Sequence, residues 1–216
     1  MQHASPATDG NGGRLITLCG EEIPHPGHVC AFFDSREEKY DTLAPFFIDA
    51  IQAGDRIINV VDADARDEHL RQLTRALVPV ARAMEGEQLR VFTSEETYLR
   101  EGIQDLDGML DLLRDALESS ARDNCCIRTC GDMSWIGRST MPVERVLEYE
   151  AKVNYFVPTH TCTLLCVYDL AVMPAALVSD IMSTHPFAIV KGRLRRNPYF
   201  VQPDEYLGML RSRRQA

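Results

Sequence analysis

The chain has 216 residues, 45% of them apolar and 25% charged, with a formal net charge of −9. This is the composition of a globular domain, and its acidic balance disfavours direct nucleic-acid binding, which needs clustered cations to displace counterions from phosphate. No apolar run approaches the roughly 18 residues of a membrane span, and Met1 to Gly13 lacks the basic-then-apolar pattern of a signal peptide. A cytoplasmic location is therefore expected.

In chain order, residues 1–13 are rich in Ser, Pro, Asp, Asn and Gly and are expected to form a flexible tail. A single domain is expected over 14–210, followed by a basic tail over 211–216. Apolar runs predict strands at His28–Phe33, Arg56–Val61, Gln88–Phe92, Cys125–Cys130, Thr161–Tyr168 and Phe187–Lys191, with a short extra strand at Leu15–Leu18. Helical spacing fills the gaps. The first helix is expected from Ser35, an N-cap with Glu38 three residues on, to Ala53, where Gly54 ends it and Pro45 divides it. Others are expected over Ala65–Met84, loosened near Pro79, then Leu106–Ala121, Pro142–Phe156, Pro174–Ser183 and Pro203–Leu210. Short strands alternating with amphipathic helices predict an α/β fold, a mainly parallel sheet with helices on both faces. Two basic clusters, one at Lys191, Arg193, Arg195 and Arg196 and one at Arg211, Arg213 and Arg214, read as solvated surface.

The loop after the first long strand reads Phe33-Asp-Ser-Arg-Glu-Glu-Lys-Tyr40. A phosphate-binding loop needs glycines, so that backbone N–H groups can wrap the anion. Here glycine is missing and Asp34, Glu37 and Glu38 would repel phosphate.

The seven cysteines are odd in number and do not follow a secreted disulfide spacing, so free thiols are expected. Strand alternation puts His28 and Cys30 on one face of their strand, and Cys162, Cys166 and Tyr168 on one face of another. If those strands are neighbours, His28, Cys30, Cys166 and His185 converge, either as core packing, as a thiol and imidazole site, or as a metal site. Glu150 and Asn154 are four residues apart in an apolar helical stripe and need buried partners. Arg128, inside a strand, is the expected partner of Glu150, as a strut or as part of a binding site. Asp132, Trp135 and Asp169 follow strands, where open α/β sheets bind ligands, or they cap turns and fill the core. His185 before Pro186 reads equally as a helix C-cap.

Seven segments in order are similar to one known family. They are Gly27-His-Val-Cys-Ala-Phe-Phe33, Pro45 to Asp55, Gly131-Asp-Met-Ser-Trp135, Tyr149-Glu-Ala-Lys-Val-Asn154, Cys166-Val-Tyr-Asp-Leu170, Thr184-His-Pro186 and Asn197-Pro-Tyr-Phe-Val-Gln-Pro203. Together they resemble the MEDS sensory domain, named for methanogens and methylotrophs. The resemblance implies a RecA/KaiC-like fold without a Walker A loop. It also implies a sensor of simple hydrocarbon derivatives, with His28, Cys30, Cys166 and His185 at positions suspected in sensing. One departure is Asp132, where the family usually has Glu.

The expected function is thus a sensory domain for a small organic molecule, or for a thiol or redox signal, and not an enzyme. Its ligand would lie among His28, Cys30, Arg128, Asp132, Trp135, Glu150, Asn154, Cys166, Asp169 and His185. The state would pass to a separate kinase or transcription factor, with self-association as a further option. No cofactor is identified by the residues. The competing expectations are an enzyme, as a residual nucleotide hydrolase or a Cys-dependent catalyst, and a scaffold with no ligand.

Overall fold

The structure is a computed structural model that describes residues 15–25, 27–99, 106–122 and 125–214. The tail expected over 1–13 lies outside these residues. The described chain opens with an antiparallel hairpin, β1 (Leu15–Leu18) and β2 (Glu21–Pro24). It continues through β3 (Gly27–Phe33), α1 (Arg36–Ala53), β4 (Arg56–Val61), α2 (Arg66–Arg75), α3 (Val80–Glu85) and β5 (Leu89–Thr93). Then come α4 (Leu106–Arg122), β6 (Ile127–Asp132), α5 (Val143–Val153), β7 (Cys162–Asp169), α6 (Leu177–Thr184), β8 (Phe187–Val190), β9 (Arg193–Arg196) and α7 (Pro203–Arg213).

Strands β3 to β9 form one sheet in the order β5-β4-β6-β7-β3-β8-β9. Every neighbour is parallel except the edge pair β8 and β9. Parallel strands need crossovers, and the helices supply them while covering both faces. The α/β class expected from the alternating pattern is the observed one.

Strand alternation divides the interior. On one face Val29, Ala31, Phe33, Leu165 and Val167 pack with Leu43, Phe46 and Phe47 of α1 and with Leu73 of α2. The hairpin joins this layer through Ile16 and Leu18. On the other face Cys30, Phe32, Leu164, Cys166 and Tyr168 pack with Met109 and Leu113 of α4, Leu147 of α5, Ile181 of α6 and Tyr206 of α7. The central strands β3 and β7 are buried on both faces, which is why they read as unbroken apolar runs.

Three local expectations are corrected or extended. Pro45 does not divide α1, which is continuous from Arg36 to Ala53. Its ring lies on the exposed side, where water can satisfy the carbonyl that loses its N–H partner. Arg193–Arg196 is an edge strand in which only Leu194 is buried, so its arginines line a sheet edge as well as being solvated. The last helix includes Arg211 and Arg213, which were expected in a tail. By contrast, Ser35 does cap α1 by accepting from the Glu38 N–H, and Gly54 ends it in the left-handed conformation at φ 76°.

Candidate functional site

The buried polar groups of the second face meet at one point. His28 comes from β3, Cys166 from β7, Glu150 from α5 and His185 from the end of α6. His28, Glu150 and His185 have no exposed surface, and Cys166 is also buried. Glu150 Oε2 lies 3.1 Å from His28 Nε2 and 3.5 Å from His185 Nε2. The Cys166 thiol donates to the same oxygen at 3.5 Å and lies 3.4 Å from His28 Nε2. The imidazoles of His28 and His185 lie tilted by 35° with centroids 3.9 Å apart. One oxygen of one carboxylate is thus the centre of the cluster.

A second layer fixes each member. Tyr168, two residues beyond Cys166 on the same strand face, donates its hydroxyl to Glu150 Oε1 at 2.8 Å. The Asn154 amide nitrogen donates to the carbonyls of Glu150 (3.1 Å), Ala151 (3.3 Å) and Thr184 (2.8 Å). It therefore closes the last turn of α5 and ties it to the end of α6, satisfying carbonyls that a helix end leaves open. With its nitrogen committed, Asn154 turns its oxygen to His28 Nδ1 at 3.3 Å. His28 Nδ1 must then carry a proton, and Nε2 is the atom aimed at Glu150. His185 follows the same logic: its Nδ1 faces the Ile181 carbonyl at 2.8 Å and so donates, leaving Nε2 toward Glu150. The Asn197 amide donates to the His185 carbonyl at 2.7 Å and holds that residue from outside.

Charge follows from these contacts. Burial raises the Glu150 carboxyl, but the hydrogen bonds from His28 and Tyr168 outweigh that, and it ionises below its ordinary value. Burial, and then the neighbouring His28, push His185 down to about 3, so it is neutral. Burial, then Glu150, push the Cys166 thiol far up, so it stays protonated. His185 Nε2 makes no hydrogen bond. Its lone pair therefore faces an anionic oxygen.

Beside the cluster is a partly open cavity of about 30 Å³, with His28 and Cys166 in its wall. The rest of the wall is mainly apolar, including Met109, Leu113, Tyr149 and Leu164. That volume suits a guest of very few heavy atoms, since one water needs at least about 10–15 Å³.

Of the residues expected at a site, the structure gathers His28, Glu150, Asn154, Cys166 and His185. It separates the rest. Cys30 shares a strand face with His28, but its thiol turns to the Phe187 carbonyl at 3.6 Å and to the Met182 sulfur at 3.9 Å. Arg128 does not reach Glu150. It faces α1, on the opposite side of the sheet, where it pairs with Asp55 at 2.7 Å and Asp49 at 2.6 Å and lies over the Phe46 ring. Trp135 is core, stacked on Tyr98 with centroids 5.2 Å apart. Asp132 takes Lys39 at 2.5 Å and the Ser134 N–H, and Asp169 accepts from the Ala171 N–H.

Asp132 and Asp169 do line a separate cleft of about 300 Å³ at the carboxyl ends of the strands, together with Asp62, Asp64 and Glu68. Tyr168 was missed as a site residue. Its signal was its place two residues after Cys166, since a buried tyrosine hydroxyl needs a partner.

Comparison with known proteins agrees with this architecture. A KaiC-like protein, PH0186, from the hyperthermophilic archaeon Pyrococcus horikoshii OT3 superposes with a TM-score of 0.57 at 11% identity, covering 77% of this chain and 72% of that one. The flagellar accessory protein FlaH from Methanocaldococcus jannaschii superposes with a TM-score of 0.51 at 12% identity, covering 82% and 78%. At such identities the likeness is one of fold, here RecA/KaiC-like. No curated protein matches the chain. The family model for the MEthanogen/methylotroph, DcmR Sensory domain matches residues 27–186, most of the chain, and so the chain belongs to the MEDS family of sensory domains.

Proposed function

We propose that this chain is a non-enzymatic sensory domain whose input is a small organic molecule of about one to three carbons. The observation that carries this reading is the mainly apolar cavity with His28 and Cys166 in its wall. An apolar pocket with few convergent polar groups is the usual form of a small-ligand site. The size of the cavity favours a very small guest. A thiol-reactive or redox input is less well supported, because burial keeps the Cys30 and Cys166 thiols protonated and unreactive.

The same property argues against Cys-dependent catalysis. Nucleotide hydrolysis is disfavoured by the strand-end cleft, which is dominated by carboxylates and whose Lys39 is committed to Asp132. Binding would alter the packing of α4 and α5, which wall the cavity, and a cytoplasmic kinase or transcription factor would read the change. Such a shift requires different ligand affinity in the two states.

Thermal unfolding with a panel of one- to three-carbon alcohols, thiols and halides tests this. At a hundred times its dissociation constant a true ligand adds roughly 2.7 kcal/mol, or about 5–10 °C in Tm. Leu113→Phe, which fills the cavity, is expected to abolish that shift while leaving a folded protein. A panel that shifts nothing, or a shift that survives Leu113→Phe, overturns the reading.

A further inference from the structure

We propose that His28, Glu150, Cys166 and His185 form a binding site for one divalent transition-metal ion of the zinc class. The four ligand atoms all lie within 4.8 Å of one another. A tetrahedral ion with bonds of about 2.0–2.3 Å sets its ligand atoms roughly 3.3–3.8 Å apart. The Glu150 Oε2 separations are 3.1 Å to His28 Nε2, 3.5 Å to His185 Nε2 and 3.5 Å to Cys166 Sγ, and His28 Nε2 lies 3.4 Å from Cys166 Sγ. These four of the six edges match such a tetrahedron to within about 0.2 Å, and the other two, from His185 Nε2 to His28 Nε2 and to Cys166 Sγ, are within 4.8 Å.

The outer layer matches as well. A metal-binding imidazole donates its other N–H to a carbonyl or carboxylate, which fixes the tautomer and the ring plane. His28 does this through Nδ1 to Asn154 Oδ1, and His185 through Nδ1 to the Ile181 carbonyl. Tyr168 holds the second oxygen of the carboxylate, leaving Oε2 for the ion. Each ring therefore has its Nε2 free of the outer layer and near Glu150 Oε2.

Electrostatics supply the reason for a cation. Without one, the His185 Nε2 lone pair meets the Glu150 carboxylate and makes no hydrogen bond. A proton on His28 Nε2 can relieve the charge of Glu150, but it does nothing for His185. A divalent ion satisfies both nitrogens. As it binds, any proton on His28 Nε2 and the Cys166 thiol proton are released to solvent, and Cys166 becomes a thiolate. One dication against one carboxylate and one thiolate leaves the buried site with no net charge, which avoids the cost of an unpaired charge in the interior. Cys30 is not a ligand, because its thiol is turned to the Phe187 carbonyl.

Two of the ligands, His28 and Cys166, also wall the apolar cavity. An ion here would thus sit beside the guest assigned above. This link rests on the sensory reading, but the metal site does not.

Cobalt(II) is the probe, because a cobalt thiolate has a charge-transfer absorption that a histidine and carboxylate site lacks. The tag-free full chain is stripped with chelator and titrated under reducing conditions. It is also refolded from denaturant with cobalt present, so that slow entry to a buried site cannot hide binding. The expected result is one cobalt per chain with a thiolate band. His185→Gln should weaken binding more than about a hundredfold, and the outer-layer Tyr168→Phe by about ten- to a hundredfold. Cys166→Ser should remove the band while circular dichroism shows the fold intact.

A folded wild-type protein with no band in either preparation overturns the site. So does a band that persists in both Cys166→Ser and His185→Gln, which would place the metal on other thiols. Running the organic panel on the chelator-treated protein separates the two proposals. Organic ligands that bind where cobalt does not would refute only the metal, and cobalt without any organic ligand would refute only the cavity reading.

Discussion

The fate of Arg128 shows what a residue's chemistry dictates and what it leaves open. A guanidinium inside a strand must find carboxylates, and Arg128 finds Asp55, which like it has no exposed side-chain surface, and the partly exposed Asp49. Removing one partner of a buried pair strands the other charge. Arg128→Met should therefore cost about 3–5 kcal/mol in urea unfolding, and Asp55→Asn in the same chain should recover part of it. Cobalt affinity should not change, because Arg128 lies across the sheet from Glu150; a change there would mean the two faces are coupled. The need for partners was legible in the sequence for Arg128 and Glu150 alike. Their pairing was not, because alternation says which residues share a face of a strand and not which helix covers that face. Within the site, Glu150 and Asn154 were legible from their four-residue spacing, and His28 and Cys166 from alternation. Cys30 satisfied the same pattern and still fell outside, since its thiol rotates toward β8.

At the scale of elements, the long apolar strands and the capped helices were readable because local chemistry and burial agree there. The end of β5, the hairpin partner β2 and the edge strand β9 were harder. Each is short, and β9 is mostly arginine, so its pairing with β8 supplies the order that its composition does not. The entry to β3 is another place where a single residue decides. Gly27 sits at φ +83°, and a Cβ there would come within 2.1 Å of Val157 Cγ1 in the turn after α5. Gly27→Ala should cost about 2–5 kcal/mol, combining backbone strain with overpacking. Adding Val157→Ala should return the steric part and leave the backbone part. Full recovery in the double variant would show that the left-handed backbone costs nothing here. Because His28 follows directly, the same substitution should also weaken cobalt binding.

At the scale of the whole molecule, the two faces of the sheet share a dependence on pH. On the α1 and α2 face His69 is buried between the Tyr40 hydroxyl at 2.9 Å and the Asn59 amide at 3.0 Å. Burial, and then Lys39, push it from its ordinary 6.5 to about 4, with Asp132 opposing. On the other face His185 is pushed to about 3. Both folded values lie below the unfolded one, so the unfolded chain binds protons that the folded chain refuses. Their contribution to stability is complete above about pH 6.5 and is lost as the pH falls through that window toward 4. Asp132 and Glu150, both lowered, act in the same sense but only below ordinary carboxylate values, and Asp62, raised by burial, acts against them. Between pH 6 and 5 the histidines should therefore dominate, each contributing a slope of up to about 1.4 kcal/mol per pH unit. Urea unfolding across that range should show stability falling as acid is added, and His69→Gln should remove about one proton's share of the slope. Saturating cobalt, by contrast, should steepen the dependence, because protons then compete with the ion for His28, Cys166 and His185. A slope indifferent to His69→Gln would mean that His69 is protonated in the folded state, and that the Tyr40 and Asn59 contacts are reversed in donor and acceptor.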